Sequence, residues 1–461
     1  MLPQVTLPIP GQKSQALARR LHAVESQNIT YLDAEFPIFW KRAGGVNVWD
    51  VDDNRFLDFT SAFGVMSLGH DSPPIRHALE QQASELWHAM GDVHPSERKV
   101  ELCEMLSKLT FERWGLGRAK TILCNSGSES IEAALKTALL YNGKPGVLSF
   151  TGGYHGLGYG ALEIGGIPYF RKPFARQLGR FSMQLPYPFC YRCPFEVPDT
   201  FRLEGEHFPN CSNFCLKNLE NQIEEAIATR NIGCILVEPI QARGGEVAPP
   251  LDFLVLLRRI CNTHKILLIL DEIYTGFNRT GRLFACEHNK VVPDMICLGK
   301  ALTNGFPLSV CVGRSDIMDA WPPSTGEALH TSTFLGNPLG CAMAIASLRQ
   351  HSDPQTAANV RKMGLLLRGA LKESQHPAIG DVRGIGLMLG IEFINAQKAP
   401  DANLTNQLMK FALRKGLIFL AGSPAGNVLS FAPPFEISAK EIHFAVNCIQ
   451  EYLISFAGSL S

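Results

Sequence analysis

Five short stretches of this chain are almost wholly apolar, and each runs straight into a polar loop or helix start: residues 120–124, 146–150, 233–237, 266–270 and 295–298. Strands that are apolar throughout, rather than at every second position, suit a sheet covered on both faces. Helical patterns lie between them. From Ser130 onward, Ile131, Ala134, Leu135, Ala138 and Leu139 recur at the spacing of one buried helical stripe. The alternation of strand and helix predicts an α/β protein with a mainly parallel central sheet.

Beyond Asn337 the texture changes. Helical patterns at 338–350 and 403–415 surround short strands at 386–393 and 428–431, which predicts a second, smaller α+β domain. The expected division is an N-terminal segment, 1–60, contributing to the small domain, then a large domain, 61–337, and a C-terminal small domain, 338–461. Within the large domain, 187–215 reads as an insertion rich in Pro, Phe and Cys.

Composition narrows the possibilities. A chain of 461 residues with 46% apolar and 19% charged residues has an ordinary soluble balance and too much length for one simple core. Its 43 basic and 43 acidic side chains give a formal net charge of zero. That argues against nucleic acid as a partner and against a basic membrane-binding stretch. No segment approaches the roughly 20 apolar residues that span a bilayer. Residues 1–20, with Gln4, Gln12, Lys13 and Ser14, lack the apolar core of a signal peptide. A cytoplasmic location, with most of the thirteen cysteines reduced, is the expectation.

Ligands of α/β sheets bind outside the carboxyl ends of the strands. Here those ends carry Asn125-Ser126-Gly127-Ser128, Gly152-Gly153-Tyr154-His155-Gly156, Glu238-Pro239, Asp271-Glu272 and Gly299-Lys300. A Schiff-base cofactor with a phosphate tail needs such a set. Its phosphate needs backbone N–H groups at a helix N-terminus lined by small residues, as at Gly127 and Ser128, although an ordinary N-cap reads the same way. A ring nitrogen kept protonated needs a buried carboxylate, for which Asp271 is placed; a turn aspartate is the plainer alternative. An aldehyde needs an amine that burial can neutralise, and Lys300 ends an apolar run. The flat ring needs an aromatic face, and Tyr154 either supplies it or is a turn tyrosine.

With these residues assembled, the sequence resembles the class III (ornithine/ω-amino acid type) aminotransferases of the fold type I pyridoxal-phosphate group. The resemblance runs from about residue 35 to the C-terminus. It is carried by Glu238-Pro239-Ile240-Gln241, Asp271-Glu272-Ile273-Tyr274-Thr275-Gly276-Phe277, Arg279-Thr280-Gly281, Leu298-Gly299-Lys300-Ala301-Leu302, Ser332-Thr333-Phe334-Leu335-Gly336-Asn337-Pro338 and Arg383-Gly384-Ile385-Gly386. It implies pyridoxal 5'-phosphate as cofactor and Lys300 as both Schiff-base lysine and proton shuttle. Asp271 would partner the pyridine nitrogen, Tyr154 would stack on the ring and Glu238 would lie beside it. Gly127 and Ser128 would hold the phosphate together with Thr333 of a neighbouring subunit, which implies a homodimer with shared sites. Tyr274 stands where many relatives have glutamine near the ring hydroxyl. The implied reaction moves an amino group from an amine or ω-amino acid to a keto acid, pyruvate or 2-oxoglutarate.

Two positions depart from the family together. Many amino-acid-using members have an arginine two residues before Ala-Pro-Pro; here Leu429-Ser430-Phe431-Ala432-Pro433-Pro434 puts Ser430 there. The glutamate that pairs with that arginine is replaced by Arg243. Either Arg243 anchors a substrate carboxylate from a different wall, or it is a solvated loop residue and the substrate is an amine without a nearby carboxylate. The missing arginine favours an ω-amine or ω-amino acid donor. Cys190, Cys193, Cys211 and Cys215 are spaced as a zinc site, a disulfide pair or plain reduced thiols would allow, and no metal is assigned. His155 is read as having a local hydrogen-bonding role. A racemase, epimerase or aminomutase would keep Lys300, Asp271 and Tyr154 and differ in the substrate pocket. An NAD-linked oxidoreductase would need a Gly-x-Gly-x-x-Gly turn, and Gly156-Leu157-Gly158 lacks the third glycine in register. A binding protein on this fold would be expected to lose Lys300.

Overall fold

The computed structural model describes residues 1–195 and 211–458. The chain folds as two compact units, one made of residues 1–73 and 358–461 and the other of 74–357. The first unit opens with β1 (Trp40–Gly44), β2 (Asn47–Asp50) and β3 (Arg55–Asp58), an antiparallel meander. In the second unit follow β4 (Ala119–Cys124), β5 (Gly146–Phe150), β6 (Ser182–Leu185), β7 (Ile232–Val237), β8 (Leu267–Asp271), β9 (Met295–Leu298) and β10 (Ser309–Arg314). The chain returns to the first unit with β11 (Ile379–Ile385), β12 (Met388–Phe393), β13 (Leu417–Ile418), β14 (Leu420–Gly422) and β15 (Val428–Phe431). There β13 extends the meander in parallel beside β3, and β11, β12, β15 and β14 form a separate antiparallel sheet.

The seven-stranded sheet of the larger unit has the order β4-β10-β9-β8-β7-β5-β6. Only β10 runs against its neighbours β4 and β9; the other pairs are parallel. This explains the unbroken apolar runs. Successive side chains of a strand point to opposite faces, and both faces are covered. Leu268, Leu270, Ile296, Leu298, Val310 and Val312 enter one core cluster. Leu267, Ile269, Met295, Cys297 and Cys311 enter the other, beneath the helix Gly127–Asn142.

Three expectations are revised. The strands β6 and β10 follow no pattern singled out above: β6 carries the polar Gln184, and β10 is apolar but reversed in direction. The buried stripe of Gly127–Asn142 is rotated. It uses Ser130, Ile131, Ala133, Ala134, Thr137 and Ala138, while Leu135 is half-buried and Leu139 is 46% exposed. Small residues let this helix lie close over β4, β9 and β10, so packing distance overrides hydrophobicity. The unit boundaries fall at 73/74 and 357/358 rather than 60/61 and 337/338. At the first, Asp58 bonds His70 at 2.8 Å, and Gly45 pairs with His70 across an isolated bridge. At the second, the helix Pro338–His351 packs on Glu97–Ser107 within the larger unit. Of the Cys-containing insertion, residues 196–210 and the Cys211 side chain lie outside the described residues.

Candidate active site

Because β4, β5, β7, β8 and β9 all point the same way, their carboxyl ends share one edge of the sheet. At the end of β4 the extended residue Ser126 caps the helix Gly127–Asn142, accepting the Glu129 N–H at 3.3 Å. The first-turn N–H groups of this 16-residue helix make an anion cradle. Gly127 lets the helix start lie close to Ile273, whose Cδ1 a Cβ there would meet at 2.9 Å. The glycine turn after β5 packs on the same helix start. Gly158 N–H donates to Ser128 Oγ at 3.0 Å, and Gly156, at φ +110°, would place a Cβ 2.6 Å from Ser128 Cβ. Asn125 Nδ2 donates to Ser332 Oγ at 2.8 Å, which brings the turn carrying Thr333 beside this loop; Thr333 itself is exposed.

The acids meet next to that turn. Asp271 ends β8 and is buried. Its Oδ2 contacts His155 Nδ1 at 2.8 Å, and its Oδ1 accepts the Ile273 N–H at 3.1 Å. His155 is also buried. Burial opposes its charge, but the hydrogen bond and charge of Asp271, with Glu238 beyond, hold the imidazole above its ordinary value. Glu238, one residue past β7, accepts the backbone N–H of Tyr154 at 3.0 Å and of Ala242 at 3.3 Å. Burial pushes its carboxyl up to about 7, and the charge of Asp271 adds to this against His155. Tyr187 O–H meets the Glu238 and Pro239 carbonyls, each at 3.1 Å, and fixes the end of β7 from behind.

Lys300 follows β9 through the extended Gly299 and starts a single 3-10 turn, Lys300–Leu302, with its own φ at +46°. A side-chain-bearing residue in that region is strained, and such strain persists where surrounding structure holds it. Burial pushes the Lys300 ammonium down, while Asp271 and Glu238 pull it back up. Its Nζ lies 4.9 Å from the centre of the Tyr274 ring. Tyr154 is half-buried, with its ring edge-on to Phe170 at 5.5 Å between centroids. Arg243 is exposed in the turn after Glu238, and its charge is felt at the Tyr154 hydroxyl, whose pKa burial raises. Ser430 lies in β15 of the other unit, paired with Gly390 and Leu420.

Thus Gly127, Ser128, Tyr154, Glu238, Asp271, Tyr274 and Lys300 gather at one sheet edge within one unit. His155 and Tyr187 join them. The histidine was legible only as a neighbour of Tyr154; its partner is 116 residues away. Among the described residues, no group of three or more His, Cys, Asp or Glu side chains is placed to hold a metal ion. These residues suit a phosphorylated aldehyde cofactor: a helix N-terminus that starts on a glycine, a half-buried lysine with lowered pKa, and a carboxylate braced by a histidine.

Comparison with known proteins agrees. The family model for class III aminotransferases matches residues 30–453. The chain is 32% identical over 456 residues to a 4-aminobutyrate aminotransferase of Mycobacterium leprae, covering 98% of each chain. It is 31% identical to a leucine/methionine racemase of Thermococcus litoralis, covering 91% of this chain and 90% of that one. A PLP-bound amine transaminase from an uncultivated Pseudomonas species superposes with a TM-score of 0.84 at 27% identity, covering 94% and 98%. The chain belongs to the class III aminotransferases and is a pyridoxal-phosphate-dependent transaminase of fold type I.

Proposed function

We propose that this enzyme takes the amino group of an ω-amine or ω-amino acid, 4-aminobutyrate being the first candidate, and passes it to pyruvate or 2-oxoglutarate. The similarity to 4-aminobutyrate aminotransferases supports the donor class. When bound, pyridoxal phosphate supplies an aldehyde for the amine and a ring that accepts electrons. Gly127 and Ser128 would hold its phosphate at the helix start. Asp271, braced by His155, would keep the pyridine nitrogen charged. Tyr154 would supply an aromatic face for the ring, Glu238 anchors the Tyr154 turn through its backbone N–H, and Tyr274 flanks the lysine. The Lys300 Nζ, made less basic by burial, takes and returns the proton at the amine-bearing carbon of the substrate.

The observation that carries this reading is Lys300 itself, a half-buried lysine in strained backbone whose amine desolvation makes less basic and on which the charges of Asp271 and Glu238 act. Its test is spectroscopic first and catalytic second. The protein supplied with pyridoxal phosphate turns yellow, Lys300→Ala does not, and a screen of donors against both keto acids yields amine transfer only with Lys300 present. A Lys300→Ala protein that coloured and turned over like the parent would falsify the assignment.

Arg243 is proposed as the carboxylate anchor, supported by its proximity in charge to Tyr154 and by the paired exchange at Ser430. Thr333 is proposed to reach the phosphate of a second subunit, in a homodimer. Its exposure, and that of Phe334, Leu139, Leu140 and Tyr141, support a covered surface in the assembly. Among the described residues no helix is long and apolar enough to cross a membrane, and we propose a cytoplasmic location. The similarity to a racemase favours one second reading. Inversion of an α-amino acid without any keto acid added would support it, and strict dependence on an acceptor would exclude it.

A further inference from the structure

The strained backbone at Lys300 needs something to hold it, and the turn itself offers little. Leu302 N–H reaches Gly299 O at 2.9 Å, and Thr303 N–H reaches Lys300 O at 3.3 Å. The next carbonyl, that of Ala301, is taken from outside. Ser347 Oγ donates to it at 2.9 Å, and both residues are buried, Ser347 completely. Ser347 sits on the helix Pro338–His351, whose start is set by Asn337: its side chain accepts the Leu339 N–H at 3.0 Å and the Gly340 N–H at 3.4 Å. A Cβ at Gly340 would lie 2.8 Å from Phe306 Cδ1, so this helix also lies tight against the segment that follows the lysine turn.

One helical turn after Ser347, on the same face, comes His351. Its ring packs on Phe277 at 5.4 Å between centroids, and its carbonyl accepts Asn278 Nδ2 at 2.7 Å. Burial drives the imidazole down to about 3, with the Ala301 carbonyl pulling the other way, so the neutral ring faces that same carbonyl. The residue pair 347 and 351 therefore fixes the peptide next to Lys300 to the loop that follows Asp271.

We infer that Ser347 is a positioning residue for the transamination, clamping the Ala301 carbonyl so that the left-handed Lys300 holds its amine in place at the sheet edge that carries Asp271 and Glu238. The inference rests on Lys300 being the reactive lysine, as proposed above. Without the clamp the Lys300 peptide relaxes toward ordinary backbone angles and the amine moves from its place. Small misplacements of a reacting group cost rate far more than binding.

The experiment uses the holoenzyme and three variants. Ser347→Ala and Ser347→Cys remove the strong hydroxyl donor with little change in volume; Ser347→Thr keeps it. The readouts are the pH titration of the visible band of the lysine-bound cofactor, and kcat and KM for the best donor. Expected for the alanine and cysteine variants is a titration midpoint displaced by about half a pH unit and a kcat lowered about tenfold, with KM nearly unchanged. The threonine variant restores both. If one of the two donor-less variants fails to fold, the other carries the measurement. A folded Ser347→Ala or Ser347→Cys enzyme with the parent's titration and kcat overturns the inference, as does a threonine variant as impaired as the alanine one. Failure of the lysine reading itself would look different, because the parent protein would then not colour through Lys300 at all.

Discussion

Replacing Glu238 by glutamine removes a buried charge whose cost can be worked out from its surroundings. The carboxyl is 6% exposed, faces Asp271 and His155, and titrates at about 7 instead of its ordinary 4.5. A carboxyl that binds its proton more tightly folded than unfolded stabilises the protein below the unfolded pKa. That stability is lost as pH rises through the folded pKa. With these two values the cost of ionising Glu238 is about 1 kcal/mol at pH 5 and about 3 kcal/mol at pH 8. Glutamine has no such dependence. It does lose one of the two acceptor contacts, to Tyr154 N–H or Ala242 N–H, a penalty of about 1–3 kcal/mol that does not vary with pH. The stability of Glu238→Gln relative to the parent therefore rises by roughly 2–3 kcal/mol between pH 5 and pH 8. Urea unfolding at a series of pH values, followed by tryptophan fluorescence at fixed protein concentration, measures it. Stability curves that stay parallel to within about 1 kcal/mol across that range refute the reasoning.

Other perturbations have equally definite outcomes. Gly156→Ala places a Cβ 2.6 Å from that of Ser128 at φ +110°, so a loss of about 2–4 kcal/mol in urea unfolding is expected, with weaker cofactor retention on dialysis. His155→Phe leaves a buried Asp271 oxygen without its 2.8 Å partner and is expected to cost about 1.5–3 kcal/mol, read as a lowered Tm. Since the His155 pKa is raised in the fold, its contribution is greatest below the ordinary histidine range and fades as pH rises, so the Tm gap between parent and variant should narrow toward alkaline pH. Arg243→Ala is expected to raise KM for the keto acid about tenfold or more with little change in kcat. An unchanged KM removes Arg243 as the anchor.

Much of the site was legible because its residues sit where local pattern meets strand ends. The apolar runs ending at Leu270 and Leu298 mark β8 and β9; Asp271 comes directly after the first, and Lys300 one glycine after the second. The small-residue run Ser126–Gly127–Ser128 precedes a helical stripe. Specific motifs around Asp271, Lys300 and Thr333 then supplied the cofactor. The bond between His155 and Asp271 was not legible, nor was the clamp of Ser347 on Ala301, 46 residues apart. Periodicity constrains only which side of an element is buried, and these links depend on which elements the topology makes neighbours.

The linear chain by itself determined that strands apolar on both sides must lie inside a parallel sheet, and that a lysine and an acid stand at its carboxyl edge. Tertiary packing alone decided the reversed β10, the rotation of the Gly127–Asn142 stripe toward its small residues, and the inclusion of Pro338–His351 in the larger unit. It also decided the electrostatics. Glu238 titrates at about 7 and Lys300 is less basic than usual because burial removes water from groups whose solvation no local pattern encodes.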